Sequence, residues 1–161
     1  LSRMMRDSRI GVYGALALGL SLLLRIEAIG VMARPSVAFA AAGMILAGAV
    51  ARTAALTPLA WLAPARANGA GASVGAAPLG ARAMLPGAAT LAAIAAALGL
   101  ITLEVVRALF ACAIAAGVAR LFVAVARRHI GGQTGDVCGA SAALCEIAAL
   151  LALLIGGRDA Y

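Results

Sequence analysis

The 161 residues contain no lysine, one histidine, six acidic side chains and only 4% aromatic residues. Each scarcity removes a class of function. With so few aromatics there is no basic stripe interleaved with stacking side chains, so the chain is not built to bind nucleic acid. A single His129 and three cysteines without a CxxC pair cannot furnish a structural zinc site. Cys138 and Cys145, seven residues apart, instead read with Cys112 as reduced packing residues. No Ser-His-acid arrangement for acyl transfer is visible. Charge of either sign is also scarce, at 12% against roughly 25% in soluble domains.

What fills the chain is apolar: 65% of residues, with a mean hydropathy of +1.07. That composition specifies an integral membrane protein, because a lipid-facing backbone must satisfy its hydrogen bonds internally and does so as helices. The expected fold class is all-α, a polytopic helix bundle of about five transmembrane helices in one membrane domain over residues 1–161. The thirteen arginines give a net charge of +7. Together with the abundant alanine and glycine they suggest a GC-rich coding sequence rather than a selected lysine-free chemistry. Basic residues here suit anionic lipid headgroups and a phosphorylated substrate. The chain opens on Leu1 without a signal-peptide pattern, so the N-terminus reads as a cut end.

Apolar runs of about 20 residues match a hydrocarbon core of roughly 30 Å. They place spans at roughly 11–33, 36–62, 87–103, 105–126 and 140–156. The arginine-bearing stretches 1–10, 63–86 and 127–139 are expected on the cytoplasmic side. Arg25 and Glu27 fall in the last third of the first span and are expected to snorkel to the far interface, although one could instead turn into the bundle. Arg34-Pro35-Ser36 is a turn, with Pro35 opening the second span. Arg52 lies near the middle of that span, where a charge costs about 2.5–3.5 kcal/mol, so it is expected to face protein or water rather than lipid. Prolines and glycines over 63–86 exclude a spanning helix there. Glu104 and Arg107, three apart, can pair beside the hairpin that divides 87–126. Gly43 and Gly48 in the second span are five apart and do not form a GxxxG, and no internal repeat is evident.

One stretch exceeds what a membrane filler needs. Residues 127–140, Arg127-Arg128-His129-Ile130-Gly131-Gly132-Gln133-Thr134-Gly135-Asp136-Val137-Cys138-Gly139-Ala140, gather glycines, cations and an acid in one loop. Glycines let a ligand approach the backbone, loop amides bind anions, and an aspartate can hold a hard cation. A plain interfacial turn, with Asp136 capping the next helix, is the competing reading. Asp7, Asp136 and Glu146 are all expected near the cytoplasmic interface. Ten residues separate the last two, which places them about 80° apart around a helix, able to line one cavity with Asp7 as a third donor for Mg²⁺. Arg6 and Arg9 could clamp phosphate bidentately. Such a set suits phosphoryl transfer. His129 reads as a headgroup or phosphate contact rather than a general base.

The order Gly131-Gly132-Gln133-Thr134-Gly135-Asp136, then Gly139-Ala140 and Glu146, resembles the C-terminal signature of the cobalamin synthase family, the adenosylcobinamide-GDP ribazoletransferases. Met5-Arg6-Asp7-Ser8-Arg9-Ile10-Gly11 with Tyr13-Gly14 resembles that family's M-[KR]-D-S-R-x-G-x-x-G segment, and Arg52-Thr53-Ala54-Ala55 its S-R-x-x-A segment. The resemblance implies a multi-pass protein of the bacterial inner membrane, acting on its cytoplasmic side with Mg²⁺. Adenosylcobinamide-GDP would be attacked by α-ribazole or its 5′-phosphate, releasing GMP. It further implies catalytic and metal roles for Asp7, Asp136 and Glu146, and substrate or phosphate contacts by Arg6, Ser8, Arg9, Arg52, Gly132, Thr134 and Gly135. Partners would be these two substrates and the lipid bilayer, with an oligomer possible and no nucleic acid. The family's acidic D-G-L-A-D-x-x-D-G motif would lie upstream of Leu1. The alternatives are a small transporter subunit, motivated by Arg25, Glu27 and Arg52 within spans, and an inactive truncated remnant.

Overall fold

The computed structural model describes residues 11–65, 80–102 and 105–155, the side chains of 98–102 excepted. Five α-helices run Val12–Ala33 (α1), Val37–Trp61 (α2), Leu85–Thr102 (α3), Val105–His129 (α4) and Gly135–Leu154 (α5), with a short 3-10 turn Ala81–Met84 leading into α3. Among the described residues, four of them, α1, α2, α4 and α5, are long and apolar enough to cross a membrane. The protein is a helical membrane bundle.

Packing centres on the α2–α5 pair: α2 also lies against α1, α3 and α4, and α5 against α4 and α1. The core is made of small side chains: Ala47, Ala54, Ala111, Ala115 and Ala149 are buried, with Leu46, Met32 and Leu150 filling between them. Small residues matter because, with lipid as solvent, helix association depends on close van der Waals contact rather than on escape from water. At Gly43 an added Cβ would lie 3.0 Å from Met32 Sδ and 3.2 Å from Leu153 Cδ1, so α1, α2 and α5 meet there.

A proline inside α2 creates a second interhelical device. Pro58 has no N–H and cannot bond the carbonyl four residues back. That carbonyl, Ala54 O, accepts instead from Ser141 Oγ of α5 at 2.9 Å, and Ser141 is fully buried. Nearby, Cys145 Sγ donates to Ala115 O of α4 at 3.5 Å. Cys112, Cys138 and Cys145 are free thiols.

Several local expectations change. Ser36, not Pro35, opens α2: its side chain accepts from Phe39 N at 3.2 Å, leaving Pro35 in the preceding turn. The helix α4 continues to His129 and α5 begins at Gly135, so the expected loop 127–139 shortens to residues 130–134. Gly131 takes φ +78 while Ile130 and Gly131 amides both bond Ala126 O, a left-handed glycine stop for α4. Arg25 does not snorkel, since it turns inward and meets Glu146. Glu27 stays exposed. Arg52 is exposed, and its Nη1 donates to Gly48 O of its own helix at 3.0 Å. The expected Glu104–Arg107 pair falls on Glu104, outside the described residues, whereas Arg107 lies 5.7 Å from the Phe39 ring centroid.

Candidate functional site at the mouth of α5

The loop between α4 and α5 is held from below by another loop. Gln133 N donates to Ala63 O at 2.8 Å and Ala65 N donates to Gln133 O at 3.0 Å, forming an isolated parallel bridge between Pro64 and Gln133. The two backbones come so close that a Cβ on Gly132 would stand 2.6 Å from Ala63 O and 2.8 Å from Ala65 N. Gly132 is therefore required by backbone contact inside the protein. Gly135 differs: it is exposed, and nothing lies within 4 Å of where its Cβ would be.

Thr134 is the N-cap of α5, its side chain accepting from Val137 N at 3.3 Å. The competing reading, in which Asp136 caps this helix, is thus not what the structure shows. Asp136 sits in the first turn with its carboxylate exposed, free to interact with a ligand as well as with the positive helix end. Facing this mouth across the short loop is the last turn of α4, with Arg127, Arg128 and His129 exposed. Arg127 Nη2 donates to Trp61 O at 3.1 Å, and the Arg120 guanidinium lies 6.0 Å from the Trp61 ring centroid. Trp61 at the end of α2 thereby organises two of the cations, an arrangement with no local sequence signature because 66 residues separate Arg127 from Trp61.

The two carboxylates expected to share a cavity do not lie at the same depth. Ten residues of continuous helix put Asp136 and Glu146 about 15 Å apart along the axis. Glu146 faces α1 from α5, with Oε2 2.8 Å from Arg25 Nη2 and both side chains partly buried. Arg25 also donates to Ser21 Oγ on its own helix. Among the described residues, no three His, Cys, Asp or Glu side chains gather as a metal site. Arg6, Asp7, Ser8 and Arg9 lie outside the described residues.

Comparison with known proteins gives one family. The model of the cobalamin-5-phosphate synthase family matches residues 1–154. Among curated proteins, the chain is 42% identical to an adenosylcobinamide-GDP ribazoletransferase of Azorhizobium caulinodans over 96% of this chain and 58% of that protein. It is 43% identical to the protein of that name from Rhizobium johnstonii over 92% of this chain and 57% of the relative. It is 35% identical to the one from a Shewanella species over 96% of this chain and 58% of the relative. The chain spans a little over half the length of these relatives. No solved structure matches it. The chain belongs to the cobalamin-5-phosphate synthase family.

Proposed function

We propose that, as a member of that family, the protein takes part in closing the nucleotide loop of a corrinoid. The hydroxyl of α-ribazole, or of its 5′-phosphate, attacks the corrinoid-side phosphorus of adenosylcobinamide-GDP. The new P–O bond forms as the bond to the GMP portion breaks, the hydroxyl proton is lost, and GMP leaves. The relatives' names support this reaction, and they speak against the transporter alternative.

The observation that carries the reading to particular residues is the mouth of α5. A Thr134-capped helix start, an exposed Asp136 and the exposed cations Arg127, Arg128 and His129 meet around a five-residue loop. A diphosphate fits this set: the loop amides and helix end favour anions, and the arginines supply paired donors. Gly135, open and without a side chain, lets a phosphate reach the backbone. Magnesium, held usually by one or two carboxylates and by substrate phosphates, fits an exposed Asp136 with Asp7 as a second donor. When bound it supplies positive charge against the diphosphate oxygens. The family resemblance adds Arg6, Ser8, Arg9 and Arg52 as candidate phosphate contacts, and the site itself is proposed for the cytoplasmic side of the inner membrane.

The test is GMP release by the complete gene product in nanodiscs, given adenosylcobinamide-GDP, α-ribazole and Mg²⁺. Formation of GMP together with the closed corrinoid is expected. A protein that is folded and inserted but releases no GMP at any Mg²⁺ concentration would overturn the reading.

A further inference from the structure

The Arg25–Glu146 pair joins two helices through one fixed offset. The paired residues are 121 apart in sequence. Seven residues further along each helix, Met32 and Leu153 repeat that offset, and both close on Gly43 of α2, within 3.0 and 3.2 Å of its virtual Cβ. Helices α1 and α5 therefore run parallel in a constant register over two turns, the spacing of a seven-residue seam. The same offset carried toward the N-terminus sets Leu18 beside Gly139 and Gly11 level with Gly132.

Below the ion pair the seam is open. Every residue from Gly11 to Leu20 is exposed, and so are Gly139 and Ala140. The charge pair is thus an interhelical lock above thirteen residues of α1, Val12 to Leu24, none of which is buried. From Arg25 to Val12 is about 20 Å of helix, and from Glu146 to Gly135 about 16 Å. With that lock in place the two helix starts fall within one turn of each other.

We infer that Arg25 and Glu146 are positioning residues: their ion pair sets the axial register of α1 against α5 and so holds the start of α1 at Val12 level with the mouth that carries Thr134 and Asp136. This assigns Glu146 a role distinct from metal binding, and it rests on the transferase reading for the reaction it serves. Charge suits the task better than an apolar contact here. A partly buried charge that slides one residue loses its partner in an apolar medium that will not replace it, whereas alanine and leucine seams tolerate slippage.

The experiment uses the complete gene product in nanodiscs, with Arg25→Gln, Glu146→Gln and the exchanged pair Arg25→Glu/Glu146→Arg. Register is read by electron-electron distance between spin labels on Val12→Cys and the native Cys138, with Cys112 replaced by alanine. Activity is read on unlabelled protein as kcat and KM for GMP release. Each single neutralisation should move or broaden the distance by roughly the 5 Å of a helical turn and lower kcat at least tenfold. The exchanged pair should recover the parental distance and bring kcat within about threefold. A Glu146 that instead touched metal or substrate would not be rescued from α1. An unchanged distance in both single variants overturns the inference, as does a shifted distance with parental kcat, or lost activity that the exchange does not recover. If the parental protein released no GMP, the transferase reading would fail, while the distances would still decide the register.

Discussion

Ser141 and Pro58 illustrate how single residues far apart in sequence become one unit. Pro58 leaves Ala54 O without its helical donor, and Ser141 Oγ supplies one at 2.9 Å in a fully buried position. Ser141→Ala should therefore destabilise the bundle by about 1 kcal/mol, near the usual range of interhelical hydrogen bonds in membranes. In a Pro58→Ala background the helix amide returns to Ala54 O, so the same Ser141→Ala should cost much less. A double-mutant cycle of unfolding in mixed detergent measures this, and strict additivity would break the link. Glycines divide in the same way. Gly132→Ala drives a methyl to 2.6 Å from Ala63 O, against backbone that cannot yield, and should lose about 1–3 kcal/mol as an overpacked site. Gly135→Ala meets nothing within 4 Å and should leave the melting temperature unchanged or slightly higher. Lost GMP release in that folded variant would show that a ligand occupies the open space; full activity would remove Gly135 from the site. Sequence gave both glycines one role, because a glycine demanded by a neighbouring backbone and one kept open for a ligand look alike until the neighbour is in place.

At the level of elements, the start of α5 separates capping from chemistry. Thr134 caps the helix and Asp136 does not, so the two substitutions should part. Thr134→Ala should reduce thermal stability by about 1 kcal/mol. Asp136→Asn should cost at most the 0.3–1 kcal/mol of an exposed first-turn charge, yet lower GMP release at least tenfold, with partial recovery at raised Mg²⁺. Parental turnover of Asp136→Asn at every Mg²⁺ concentration would remove Asp136 from the site. Helical class and approximate extents were legible because runs of about 20 apolar residues have one solution in lipid. The early start of α5 was not: Thr134-Gly135 reads as a break by composition, whereas here threonine begins a helix and glycine continues it. Which face of each helix turns inward was hidden too. These helices are apolar all round, so the periodicity that orients a soluble helix is missing, and the inward turn of Arg25 depends on a partner that only the fold provides.

On the scale of the whole molecule, the two ends of the bundle carry different parts. The Pro64–Gln133 bridge binds the exit of α2 to the entry of α5 at one end, where Arg127 and Arg128 also lie, while the turn at Arg34 and Pro35 closes the other. Arginines near helix ends favour the cytoplasmic face, and the proposed diphosphate reaction would require its anion site on that side. The orientation can be checked without any activity. With Cys112 and Cys138 replaced by alanine and Cys145 fully buried, Ile130→Cys and Pro35→Cys each present one exposed thiol, at opposite ends. A membrane-impermeant maleimide should label position 35 in intact spheroplasts and position 130 only in inverted vesicles. Labelling of position 130 from outside would put the loop, Asp136 and the arginines on the face where the diphosphate substrate is absent, and the proposed site would have to be given up even though the fold stood.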